Sequence, residues 1–180
     1  MKIGMIGVGL MGKGIATNIL KDKTYQLTFF SHQGNQPTDT LEAAGALATP
    51  TIKETISNAK IIILCVTGAA QVEEILFGPE GILAQGKKGQ IIIDCSTSMP
   101  DKTKAFSARL AEAEITFVDA AMTRTPKEAA AGRLNLIVGA QKPVFDEIYP
   151  LLYLFAENIV HAGDVGAGQA LKLIHNYVSL

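Results

Sequence analysis

Gly7-Val8-Gly9-Leu10-Met11-Gly12 sets three glycines in the G-x-G-x-x-G spacing directly after the apolar run Ile3 to Ile6. Where such a turn joins a strand to a helix, the first glycine permits the tight bend and the second lets a pyrophosphate approach the backbone. The third lets the helix pack on the strand. The phosphates then lie at the positive helix N-terminus. The same stretch, Gly7-x4-Gly12-Lys13, is also most of a P-loop, but the next residue is Gly14, where that loop needs a Ser or Thr hydroxyl to hold magnesium. The triphosphatase reading fails there. The remaining alternative is a glycine turn that binds nothing.

Three further stretches carry side chains suited to chemistry. Near the end of the chain, Gly166-Ala167-Gly168 leads into a helical pattern on which Lys172 and Asn176, four apart, share a face. Such a pair can give and orient a proton, and a solvated helix lysine fits the same spacing. Asp119-Ala120-Ala121-Met122-Thr123-Arg124-Thr125-Pro126 reads as a loop of small and hydroxyl residues with a single arginine. A guanidinium beside hydroxyls receives a carboxylate or sulfonate through two parallel hydrogen bonds, although a surface arginine reads the same way. Cys95-Ser96-Thr97-Ser98 follows an apolar run, and its hydroxyls suit helix caps as well as a nicotinamide pocket.

The elements that must position these residues alternate between strand and helix. Ile3 to Ile6 reads as a first strand, followed by a helix with Ile15, Ala16, Ile19 and Leu20 at helical spacing. Tyr25 to Phe30 supplies a second strand, ended by the polar stretch Ser31 to Pro37. Thr40 to Leu47 is alanine-rich and helical, with a short strand near Leu47 and Ala48, and Thr51 caps a helix to Ala59. Ile61 to Val66 and Gln90 to Asp94 are apolar enough for parallel strands covered on both faces. The first of these ends at Val66-Thr67-Gly68, a loop on the cofactor side of the sheet, with a helix over Ala69 to Phe77. Pro100 opens the next helix, Ile115 to Val118 forms a sixth strand, and Lys127 to Ala131 forms a short helix. A strand at Leu134 to Val138, a helix at Pro143 to Leu154 and a short strand at Ile159 to His161 follow. This alternation predicts an α/β chain of the Rossmann type, doubly wound, with a mostly parallel sheet and helices on both faces.

The end of the second strand bears on the cofactor. A site for NAD places Asp or Glu there to accept from the ribose 2′-hydroxyl, whereas a site for NADP omits that charge. Here the tip carries Ser31 and His32 and no carboxylate, so NADP is favoured over NAD; a solvated turn histidine is the competing reading of His32.

Composition sets bounds on the rest. With 48% hydrophobic residues and a net charge of −1, the 180 residues suffice for one large core and leave no basic face for nucleic acid. No apolar run reaches the length of a membrane span, and the first strand starts too early for a signal peptide, so the expected location is the cytoplasm. Cys65 and Cys95, each at the end of a β-like run, read as reduced core thiols, with too few ligands nearby for a metal.

Taken together, the motifs resemble the β-hydroxyacid dehydrogenase family, which includes 3-hydroxyisobutyrate dehydrogenase, tartronate semialdehyde reductase and sulfolactaldehyde reductase. The resemblance rests on the opening glycine turn, Asp94-x-Ser96-Thr97, the Asp119 stretch, and Gly166-x-Gly168-x-x-x-Lys172-x-x-x-Asn176. It implies a catalytic Lys172, Asn176 holding substrate, Thr97 beside the cofactor, and Thr123 to Thr125 holding the acidic end of a small anionic substrate. Where most of the family has Ser-Gly-Gly, this chain has Thr123-Arg124-Thr125, which is similar to sulfolactaldehyde reductases. The resemblance also implies a nucleotide-binding domain over residues 1–163 and the start of an interdomain helix over 164–180. The family's all-helical C-terminal domain, which forms much of a homo-oligomer, is expected to be missing. An exposed apolar face at Leu171, Ile174 and Val178 is the corollary.

Overall fold

The computed structural model describes residues 1–33 and 35–178; Gly34, placed above in the polar stretch after the second strand, lies outside them, as do Ser179 and Leu180. Within them the chain alternates as expected: β1 (Lys2–Ile6), α1 (Leu10–Ile19), β2 (Gln26–Phe30), α2 (Asp39–Ala43), β3 (Leu47–Thr49), α3 (Ile52–Ile56), β4 (Ile61–Leu64), α4 (Ala69–Phe77) and α5 (Ile82–Gln85). The second half follows with β5 (Ile91–Asp94), α6 (Pro100–Ala111), β6 (Thr116–Thr123), α7 (Pro126–Ala131), β7 (Leu134–Gly139), α8 (Lys142–Leu152), β8 (Ala156–Gly163) and α9 (Ala167–Val178). The strands form one eight-stranded sheet in the order β3-β2-β1-β4-β5-β6-β7-β8. Among the described residues only the β6–β7 pair is antiparallel.

Every residue of β4 and β5 is buried, as central parallel strands must be. Alternate side chains serve the two faces. Ile61, Ile63, Ile91 and Ile93 join Ile15 and Ile19 of α1 in one core, while Ile62, Leu64 and Ile92 join Val72, Leu76 and Phe106 in the other. The chain reverses its winding between β1 and β4, so the loops after those strands diverge and leave a crevice at their carboxyl ends.

One expectation fails. Asp119 to Thr123 is not loop: β6 runs on to Thr123, and its last five residues pair with β7 from Gly139 back to Asn135. That antiparallel pairing satisfies the backbone of Ala120 and Ala121, both buried, and outweighs the weak strand preference of small residues. The last strand is likewise longer than the three residues expected, covering Ala156–Gly163. The expected apolar face is present: Val160, Leu171, Ile174 and Val178 are exposed, and they line a groove between α9 and strands β6 to β8.

Candidate functional site

The glycine turn sits at the crevice. Gly7 has φ +97°, a conformation open to glycine, and a Cβ there would lie 2.2 Å from the Cys65 carbonyl oxygen. Gly12 packs so closely that its Cβ would stand 2.0 Å from the Gly7 carbonyl oxygen. Gly9 is the opposite case, since a Cβ there would meet nothing within 4 Å. Its open side belongs to a cavity of about 760 Å³. Gly9 is also the N-cap of α1, with no side-chain cap and no acidic residue in the first turn. The N-terminus of a ten-residue helix thus stands at the cavity wall with no side-chain cap among the described residues, an arrangement suited to phosphate oxygens.

The wall of this cavity gathers Gly7, Gly9, Leu10, Met11, Gly12, His32, Val66, Thr67, Ser96, Thr97 and Arg124 from the predicted residues. Ser31 lies beside it, exposed, with its N–H donated to Thr49 O at 2.8 Å. Thr123 turns away: it is buried, accepts from Asn135 Nδ2 at 3.0 Å, and borders the groove under α9 instead. Thr125 is the N-cap of α7, closing a capping box with Glu128. Arg124 has φ +80°, unusual for a residue with a side chain, and its guanidinium donates to the Glu157 carboxylate and the Arg133 carbonyl. Lys172 and Asn176 lie on α9, off the cavity wall; Lys172 is half-buried and Asn176 exposed. Burial alone lowers the Lys172 pKa below that of an ordinary lysine.

Three residues that matter here went unassigned from sequence. Asn35 accepts from the Val8 N–H at 3.2 Å and donates to Phe30 O at 2.9 Å, tying the loop after β2 to the glycine turn. Asp119, fully buried, accepts from the N–H groups of Gly166 and Gln169 at the start of α9. Gln169, also fully buried, bonds the loop after β5. An acid inside the apolar run Val118-Asp119-Ala120 was a readable signal of a buried carboxylate; for Asn35 and Gln169 the sequence carries none.

Electrostatics beneath the cleft are set by burial. Asp94, at the end of β5, is pushed up to about 7 by burial, against the Ser96 backbone N–H and side chain, which both pull it down, and with the Asp119 carboxylate as a further upward influence. Its second oxygen, Oδ2, is buried with no hydrogen-bond partner among the described residues. Burial also raises the Cys65 thiol to about 12 and that of Cys95 well above its usual value, so both stay protonated; neither is in a disulfide. Among the described residues no group of three or more His, Cys, Asp or Glu is placed to hold a metal ion, and no helix is long and apolar enough to cross a membrane.

Residues 2–163 match the family described as the NAD binding domain of 6-phosphogluconate dehydrogenase. The chain is similar to 2-(hydroxymethyl)glutarate dehydrogenase of Eubacterium barkeri, 36% identical over 176 residues that make up 98% of this chain and 58% of that protein. Among solved structures it resembles the 3-hydroxyisobutyrate dehydrogenase of Mycobacterium tuberculosis with L-serine, with a TM-score of 0.87 and 25% identity over 98% of this chain and 59% of that one. It also resembles Psf3 in complex with NADP+ and 2-OPP, with a TM-score of 0.89 and 26% identity over 98% of this chain and 62% of that one. The chain thus spans about three fifths of the length of these relatives.

Proposed function

The chain belongs to the family of the NAD binding domain of 6-phosphogluconate dehydrogenase, among the β-hydroxyacid dehydrogenases, and from that premise we propose that it binds a nicotinamide dinucleotide for hydride transfer with a small anionic hydroxy acid or its aldehyde. The observation that carries the reading is Gly9, whose empty side opens at the N-terminus of α1 into a cavity of about 760 Å³. The residues fit the cofactor. Gly7 to Gly12 would hold the pyrophosphate, the tip with Ser31 and His32 the adenine ribose, and Val66, Thr67, Ser96 and Thr97 the nicotinamide end. The lack of a carboxylate on the described part of that tip favours NADP over NAD.

When bound, the nicotinamide supplies or accepts the hydride. In reduction, Lys172 gives its proton to the oxygen of the carbonyl being reduced, and a pKa lowered by burial brings the ammonium nearer its working range. Asn176 orients the substrate. Arg124, released from Glu157, receives its acidic group. These steps belong to the whole enzyme, with a homo-oligomer formed through an all-helical domain beyond residues 1–163 and a cytoplasmic setting as parts of the same proposal.

A second reading, dinucleotide binding without turnover, is favoured by one observation: Lys172 and Asn176 stand off the cavity wall in the chain of this extent. The two separate in an assay of NADP+ reduction with a panel of small hydroxy acids. Turnover that Lys172→Ala lowers by about a hundred-fold or more, with NADPH affinity kept, supports the catalytic reading. Turnover indifferent to Lys172→Ala removes the lysine as the acid, and no turnover with intact NADPH binding leaves the binding module. Tighter binding of NADH than NADPH would overturn the NADP preference.

A further inference from the structure

The loop after β5 and the helix that carries Lys172 are joined by polar side chains buried beneath the cleft. Gln169, in the first turn of α9, reaches the loop with both ends of its amide: Nε2 donates to the Ser96 carbonyl at 2.7 Å, and Oε1 accepts from the Ser98 N–H at 3.1 Å. Ser96 is fixed in turn, its Oγ accepting from the Val66 N–H at 3.0 Å and its N–H donating to Asp94 Oδ1 at 2.9 Å. From the other side, Asp119 accepts from the Gly166 N–H at 2.7 Å and the Gln169 N–H at 2.8 Å. The carboxylate lies in space that two glycines leave open. A Cβ at Gly139 would lie 2.4 Å from its Oδ1, and one at Gly168 2.7 Å from its Oδ2.

The hydrogen bonds therefore run without a gap from Val66 on the cavity wall, through Ser96 and Gln169, into α9 three residues before Lys172. A solvent-exposed Ser or Asp would satisfy the helix N-terminus at far lower desolvation cost, and an apolar side chain would fill the place of Gln169. What the buried pair adds is a fixed distance between loop and helix.

We propose that Asp119 and Gln169 are positioning residues that couple the Ser96–Thr97 loop to the helix of Lys172, so that filling of the cavity is felt at Lys172 without direct contact. The cofactor arm of this inference rests on the dinucleotide reading above; the ligand-free arm does not.

The test uses Gln169→Met, which keeps length and volume and removes both amide bonds, with Asp119→Asn as the second variant should the first not fold. Amide hydrogen exchange of α9 is measured in each with and without NADPH, beside an NMR titration of Lys172. Without ligand, the variant should exchange about ten-fold faster through the first turns of α9, with β1 and α1 unchanged, and the Lys172 pKa should move up toward an ordinary lysine's. NADPH should raise the protection of α9 in the parent chain and not in the variant, although both bind it. A merely structural role would lower protection throughout the molecule. Equal cofactor-induced protection of α9 in both proteins overturns the coupling. If the parent chain binds no NADPH, the dinucleotide reading falls, and unchanged α9 exchange with an unchanged Lys172 pKa in the ligand-free variant overturns the coupling separately.

Discussion

Asp94 shows what burial does to a single residue whose type was plain in the sequence. It stands at the end of a wholly buried strand with Asp119, Cys65 and Cys95 as its titratable neighbours, and only one of its oxygens is bonded to an N–H. Its folded pKa, about 7, lies above the ordinary 3.8, so the folded state holds a proton that the unfolded chain releases. The contribution of this carboxyl to stability should therefore be fully present below pH about 4, fall by up to about 1.4 kcal/mol per pH unit toward pH 7, and level off above it, against the opposite trend of Asp22, Glu128 and Glu157, whose carboxyls are shifted down. Urea unfolding over that range should show the fall, and Asp94→Asn should flatten most of it, leaving a remainder from Asp119, whose carboxyl is shifted in the same direction. An equal slope in the variant would contradict the assignment. Asp94-x-Ser96-Thr97 was legible as a motif. Its protonation was not, because it depends on which strands flank β5.

At the scale of elements, local pattern and tertiary contact part company. The glycine turn, β4 and β5 could be read because their requirements are local: a tight bend, a helix N-terminus, an unbroken apolar run. The stretch Asp119 to Thr123 could not, since its strand character comes from β7, whose approach is a fact of topology. Arg124 illustrates the same limit, its charge visible in sequence but its pairing with Glu157 set by the distant start of β8. Contact between helices is equally hidden. Gly14, which in the sequence served only to exclude a P-loop, is where α1 meets α7: a Cβ there would lie 2.6 Å from the Ala129 carbonyl carbon and 2.7 Å from the Ala130 nitrogen. Neither atom is the tip of a flexible side chain. Gly14→Ala should cost about 1–3 kcal/mol in chemical unfolding, despite the better helix propensity of alanine. A stabilised variant would show that the two helices are not in this contact.

At the scale of the whole molecule, the strand order from β3 through β6 places the crevice between β1 and β4, and the glycine turn, His32, Val66, Thr67, Ser96 and Thr97 line the cavity there. That much followed from motifs in chain order. The relation of Lys172 to the crevice did not, because α9 packs on β6 to β8 and its distance from the cavity is a property of the assembled sheet. The central claim, that the turn at Gly7 to Gly12 is a pyrophosphate cradle, makes the three glycines unequal in a way that a purely structural turn would not. Gly9 is extended, with φ −76°, and has open space on its side-chain face, so Gly9→Val should leave stability within about 1 kcal/mol of the parent. The deciding measurement is calorimetric titration of NADPH into the parent chain and Gly9→Val, both checked for an unchanged melting midpoint. The account predicts binding by the parent and a loss of at least about ten-fold, or roughly 1.4 kcal/mol, in the variant. Equal affinity in the two proteins, or a parent chain that binds neither NADPH nor NADH, would contradict it.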